Sequence, residues 1–161
     1  MQEEIFQNVA SMIKAHGFEV IASDFERPWG GFFVINEGQI KKFAQTYFPH
    51  LVDSLPEDRK MSPKILVVAP NKRLSWQYHH RREEVWRVVD GPVAVAQSDT
   101  DEQTEPKTYL NGDFITLKQG ERHRLIGLDH YGIVAEIWQH TDPDNPSDEE
   151  DIVRVQDDFK R

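Results

Sequence analysis

Gln77, His79, Glu84 and His123 are the residues of this chain whose types and spacing could do chemistry. They occur as Gln77-x-His79-x4-Glu84-x6-Gly91 and Gly112-x5-Lys118-x-Gly120-x2-His123. Residues two apart on a strand share a face, so Gln77 and His79 can aim at one point. Glu84 follows a short turn, early in what reads as the partner strand, and His123 lies just past a Gly-rich turn where a further strand begins. Two imidazoles, one carboxylate and one amide oxygen suit a borderline divalent metal such as Zn²⁺ and leave a coordination position open. Taken singly, His79 reads as a satisfied or surface histidine. The joint spacing with Gly91, Gly112 and Gly120 is what points to a metal site. The other reading is a shell that has kept these residues and lost the ion.

This double spacing resembles the cupin motifs, G-x5-H-x-H-x3-4-E-x6-G followed by G-x5-P-x-G-x2-H-x3-N, with Gln77 in place of the first histidine. The run Leu74-Ser75-Trp76-Gln77-Tyr78-His79-His80-Arg81-Arg82-Glu83-Glu84-Val85-Trp86 is similar to the LSLQ-x-HHHRAEHW signature of type II mannose-6-phosphate isomerases. Arg27-Pro28-Trp29-Gly30 resembles their RPWG motif, and Glu150-Asp151-Ile152-Val153-Arg154 their EDDIVR tail. The likeness covers residues 24–36 and 63–161. It implies a mainly β fold, the cupin jelly roll or double-stranded β-helix, with N-terminal helices added. It also implies a metal-dependent aldose–ketose isomerase acting on mannose 6-phosphate. Another sugar phosphate, such as glucose 6-phosphate or a heptose phosphate, fits the same scaffold, as does a non-catalytic metal- or sugar-binding cupin. A cupin dioxygenase is a poorer fit, because such iron sites rely on more histidine. The chain departs from the pattern at Lys118, where proline is usual, at Gly127, where asparagine is usual, and in an apparent insertion over 36–62. A length of 161 residues leaves no room for the nucleotidyltransferase domain of bifunctional relatives, so nucleotide-sugar synthesis is not carried over.

Isomerisation needs a base and a grip on phosphate. Glu136 is the first candidate base, because it should point inward and Ala135-Glu136-Ile137-Trp138 aligns with the family's IEVQ segment. Its plainer role is a partner for Arg124 or Lys64. Lys64 could position a hydroxyl or shuttle a proton. Guanidinium forks suit phosphate oxygens, which makes Arg27, Arg73, Arg82, Arg124 and Arg154 candidates beside Lys64. Several of them could equally be surface charges. Trp29, Trp86 and Trp138 could stack on a sugar or fill core, and Trp86 is the better pocket candidate because it shares a face with Glu84. His80 and Glu83 point the other way by parity. His16, His50, His130 and His140 have no ligand spacing and read as structural or exposed.

The elements that must position these side chains follow from periodicity. Residues 2–16 read as an amphipathic helix with Ile5, Val9, Met12 and Ile13 on one face, stopped by Gly17. A short strand over 18–22, a β-prone run from Trp29 to Ile35 and a second helix over 39–48 come next, and 51–62 reads as loop. From Lys64 onward, short β-prone runs at 64–69, 73–80, 84–90, 92–97, 107–110, 113–117, 123–128 and 132–140 alternate with turn signals. That is the pattern of a sandwich or barrel. On 132–140, Val134, Glu136, Trp138 and His140 share a face. On 73–80, Arg73, Ser75, Gln77 and His79 share one. Polar faces on successive strands make sense if they line a pocket.

The length predicts a single domain over 1–161: N-terminal helices and first strands (1–62), barrel core (63–140) and an acidic C-terminal tail (141–161). Residues 142–158 carry eight Asp or Glu against one Arg, which reads as a solvated run. A net charge of −9 argues against nucleic acid as a partner. No apolar run reaches the roughly 20 residues of a membrane span. The start lacks a signal-peptide pattern, and the chain has no cysteine, so a cytoplasmic protein is expected. A homodimer is plausible, since the predicted sheets have open edges.

Overall fold

Chain order in the computed structural model, which describes residues 2–56, 60–142 and 144–159, begins with helix α1 (Gln2–Ala15) and strands β1 (Val20–Arg27) and β2 (Gly30–Ile35). A 3₁₀ turn leads into helix α2 (Ile40–Tyr47), and a second 3₁₀ segment spans Pro49–Ser54. Strands β3 (Lys64–Val68), β4 (Trp76–Tyr78), β5 (Arg82–Asp90), β6 (Val93–Ser98), β7 (Lys107–Tyr109), β8 (Phe114–Leu117), β9 (Arg122–Gly127), β10 (Gly132–His140) and β11 (Val153–Gln156) complete it. They form a six-stranded sheet, β1-β2-β3-β10-β5-β8, and a five-stranded sheet, β11-β4-β9-β6-β7, with antiparallel neighbours throughout. This is the cupin jelly roll. No helix among the described residues is long and apolar enough to cross a membrane.

The central strands of the larger sheet are buried on both faces, which explains their near-continuous apolar sequence. On β3, Ile65 and Val67 face the helices while Leu66 and Val68 face the second sheet. On β10, Ile133, Ala135 and Ile137 pack toward the helices and Val134 toward the inter-sheet core. By the same parity Glu136 and Trp138 lie on the inner side.

The helical layer is built by Phe6, Val9 and Ile13 of α1, spaced for one helix face, and by Phe43, Ala44 and Tyr47 of α2. Gly17, at φ +82°, closes α1, and the following amide of Phe18 bonds back to the Ile13 carbonyl. Phe43, Phe48 and Met61 pack in one cluster with Ile65, Val67 and Ile137. The described part of the 36–62 insertion, residues 36–56 and 60–62, therefore pads the outer face of the larger sheet. Glu37 fixes its far end, where its carboxylate accepts from the amides of Met61 at 2.8 Å and Ser62 at 2.9 Å.

Three sequence expectations need correction. The strand after Gly17 runs from Val20 to Arg27, longer than 18–22, and forms the exposed edge of its sheet. The 51–62 stretch is not all loop, since the second 3₁₀ segment reaches Ser54; residues 57–59 lie outside the described residues. The acidic stretch after 141 is not simply a solvated tail. Ser147 and Asp151 are buried, and β11 pairs with β4. Alternation of Val153 and Val155 with polar residues was the signal, outweighed by the surrounding charge.

Phe43 is fully buried. Phe43→Ala should cost about 3–5 kcal/mol of stability in urea-unfolding curves. The inner face should be unaffected, because the helical layer touches only the outer one.

Candidate metal centre

Four strands and one turn bring the inner-face polar residues together. Gln77 on β4 stands directly opposite His123 on β9. His79 follows β4, and Glu84 lies on β5 opposite Trp138 of β10. All four side chains are at least nine-tenths buried: Gln77 7% exposed, His79 4%, Glu84 3% and His123 1%. The Nε2 atoms of His79 and His123 lie 3.3 and 3.2 Å from the same Glu84 Oε1, and ligand atoms of this trio fall within 4.8 Å of one another. Gln77 lines the same cavity.

The hydrogen bonds behind the rings decide what the trio presents. His79 Nδ1 contacts the Asp151 carbonyl at 2.6 Å, and His123 Nδ1 contacts the Glu121 carbonyl at 3.1 Å. A carbonyl only accepts, so both Nδ1 atoms carry a proton, and in its neutral form each ring would turn an Nε2 lone pair inward. His123 Nε2 is buried with no hydrogen-bond partner among the described residues. In the neutral form, two buried lone pairs facing one carboxylate oxygen are repulsive until a proton or a metal ion joins them. The donor set fits a divalent ion, and the buried His-Glu-His group could bind one.

Burial pushes the Glu84 carboxyl up, but the charge that the His79 ring carries when protonated, the charge of Arg82, and the hydrogen bonds that the His123 and His79 rings donate in their protonated form outweigh it. Its pKa therefore lies well below the ordinary value. Arg82 is stacked 3.7 Å above the Trp138 ring, with Nε 3.4 Å from Glu84 Oε2 and Nη2 3.4 Å from His79 Nε2. Its Nη1 donates to Ser147 Oγ and the Asp148 carbonyl. Arg82 thus lines the cavity as a fixed counter-charge, with much of its donor capacity already used.

Glu136 stands beside this group. Trp86 Nε1 donates to its Oε1 at 2.9 Å, and Lys64 lies directly across from it on β3. Burial first, then the Glu84 charge, push the Glu136 carboxyl up to about 8, against the pull of Lys64 and Arg82. Lys64 is itself buried, lies over the Trp138 ring, and pairs with Glu149 of the C-terminal segment.

These groups, except His123, which is buried behind Glu84, line one cavity of about 130 Å³ together with Arg27, Phe32, Glu149, Ile152 and Arg154. Of the sequence-derived candidates, the fold brings Gln77, His79, Glu84, Arg27, Lys64, Arg82, Trp86, Glu136 and Arg154 to that cavity. Three readings change. Arg124 follows His123 and so points to the opposite face of β9. There it donates to the Leu74 carbonyl, Gln103 Oε1 and Gln156, tying β11 down, and it is no partner of Glu136. Trp86 is only 1% exposed and edge-on to His123, so it orients Glu136 and offers no open ring face. Arg73 is taken up by Asp158, at 2.6 Å. His140, expected to be structural or exposed, is buried and accepts from the Ser147 amide. Asp151 and Glu149 were missed because they sit in the charged run. For Asp151 the signal was the tail motif itself; Glu149 lies just before the quoted stretch and had none.

Residues 39–157 match the family model described as mannose-6-phosphate isomerase C-terminal, and the chain belongs to that family. No curated protein matches the chain. Among solved structures it is similar to the capsular polysaccharide assembling protein CapF from Staphylococcus aureus, at 15% identity and a TM-score of 0.55. That match covers 86% of this chain and 34% of CapF, so the chain spans about a third of CapF's length. It is also similar to a cupin-superfamily sugar phosphate isomerase from Silicibacter pomeroyi, at 12% identity and a TM-score of 0.46, over 68% of this chain and 60% of that one. At 15% identity the likeness to CapF concerns the fold.

Titration of the full chain with Co²⁺, followed by its visible absorption, should show one bound ion. His123→Ala should weaken that binding by at least about 100-fold, since removing a direct ligand costs no less than removing its support.

Proposed function

We propose that this member of the mannose-6-phosphate isomerase C-terminal family interconverts a phosphorylated aldose and its ketose, with mannose 6-phosphate and fructose 6-phosphate as the first pair to try. The observation that carries this reading is a buried carboxyl with a raised pKa, Glu136, sharing one cavity with His79 and Glu84 of the buried His79–Glu84–His123 group and with the basic side chains of Arg27, Lys64, Arg82 and Arg154. A divalent ion held by Gln77, His79, Glu84 and His123, with Zn²⁺ the first choice, would supply Lewis-acid polarisation of the sugar's C1 and C2 oxygens.

The chain's own residues supply the rest. Glu136 as carboxylate takes the proton from C2 of the aldose and returns it to C1, while the hydroxyl proton passes from O2 to O1. Trp86 Nε1 holds the Glu136 carboxyl in place for both transfers. A carboxyl poised near neutral can both take and return a proton. Lys64, opposite Glu136, steadies the developing charge on the substrate oxygens. Arg27 and Arg154, which line the cavity, hold the phosphate. Glu149 has a side chain 73% exposed, so it can swing off Lys64 as the anionic substrate arrives.

One observation favours a second reading, a module that binds metal or sugar without turnover. A cavity of about 130 Å³ is smaller than the roughly 300–1,000 Å³ usual for small-molecule sites. The two readings separate in one assay. Metal-loaded protein given mannose 6-phosphate should yield fructose 6-phosphate, and Glu136→Gln should lower kcat by about 10²–10⁴ while leaving cobalt affinity near wild type. No turnover of mannose 6-phosphate, glucose 6-phosphate or a heptose phosphate by metal-loaded protein leaves the binding module standing.

The homodimer, in this reading, forms at the edge strand β1, where Val20, Ile21 and Phe25 are exposed. Sedimentation equilibrium should give twice the chain mass, and Ile21→Lys should return the monomer.

A further inference from the structure

The buried bonds of Asp151 play no part in the proton transfers above, yet they converge on the metal-ligand loop. Its backbone carbonyl accepts from His79 Nδ1 at 2.6 Å. One carboxylate oxygen accepts from the His80 amide at 2.9 Å, and the other from the Arg81 amide at 2.9 Å and Ser147 Oγ at 2.6 Å. Asp151 is 5% exposed. It therefore grips the turn between His79 and Glu84 at three points while fixing the proton on the far side of the His79 ring.

The segment around it is fastened to the same loop. Arg82 donates to Ser147 Oγ and the Asp148 carbonyl, Arg81 to Asn145 and the Pro146 carbonyl, and Arg154 of β11 stands opposite Gln77. Three of the four candidate ligands, Gln77, His79 and Glu84, thus lie on a stretch that is braced by residues 145–154.

We propose that Asp151 is a positioning residue of the metal centre, holding His79 in the Nδ1–H tautomer and setting the His79-to-Glu84 turn. Ion binding and docking of residues 147–156 are then one coupled event. The proposal rests on the metal-centre reading given above. Its physical basis is that a ligand histidine whose second nitrogen is held by a fixed acceptor presents its lone pair without reorganisation. Linkage makes the effect mutual: if docking raises ion affinity, the ion must tighten docking by the same factor.

The experiment uses the full chain, with Co²⁺ as the probe. Asp151→Asn can keep an acceptor for only one of the two loop amides, so cobalt affinity should fall by about 10–100-fold. Ser147→Ala, a milder cut that removes one bond to Asp151, should give a smaller fall in the same direction and serves if the Asn variant does not fold. Arg87→Ala removes bonds to the Thr46 and Tyr47 carbonyls on the far side of the sheet, so it should lower Tm and leave cobalt affinity unchanged. In wild type, cobalt should slow amide exchange over 152–156, and the ring ¹⁵N shifts of His79 in the metal-free protein should report Nδ1–H.

Wild-type cobalt affinity in both Asp151→Asn and Ser147→Ala, or amide exchange over 152–156 that ignores cobalt, overturns the proposal while the metal centre survives. A wild-type chain that binds no cobalt overturns the metal centre itself, and this proposal with it.

Discussion

Everything at the inner face turns on one carboxylate, Glu84, buried between two imidazoles whose Nε2 atoms both face the same carboxylate oxygen. In water this grouping would be indifferent. In the barrel the unprotonated group is an electrostatic conflict, which a proton or a metal ion resolves and which Arg82 only partly offsets. The neighbouring charges follow from it. Glu136 holds its proton to a higher pH because a second buried carboxylate beside Glu84 is costly. Lys64 takes a partner from a distant segment, Glu149. With one ligand carboxylate against a divalent ion, the centre would retain positive charge, as an enediolate requires.

The architecture makes that conflict tolerable. Strands β3, β5 and β10 carry apolar side chains toward α1 and α2 on one face, so the polar residues of the other face are held by a sheet anchored from behind. The second sheet supplies His123 and Gln77 through a register that sets them opposite each other. Glu136, Lys64 and Trp86 are likewise fixed across adjacent strands, so their mutual distances depend on the ladder more than on side-chain freedom.

How much was legible in the sequence depends on how local the signal is. Eight of the core strands could be read from β-prone runs and turn residues, because alternation and glycines act within a few residues. The spacing of Gln77, His79 and Glu84 needed only strand parity and one turn. His123 needed the motif as a whole, since no local rule says which later strand returns to β4. Parity was also enough to exclude Arg124 from the cavity, since it neighbours an inward His123, but the fit of a guanidinium to phosphate oxygens was given more weight. The docked tail was hidden for a different reason. Its charges look solvated when counted, and only tertiary partners, the amides of His80 and Arg81, reveal that Asp151 is buried.

The cavity is lined by Arg27, Lys64, Arg82 and Arg154 inside a chain whose net charge is −9. A phosphorylated molecule therefore meets repulsion at long range and attraction only near the mouth. The Debye length shrinks from roughly 30 Å at 0.01 M ionic strength to about 10 Å at 0.1 M, which mutes the distant field before the close one. Encounter should therefore speed up when modest salt is added, the reverse of the behaviour of proteins that steer anions with their overall charge.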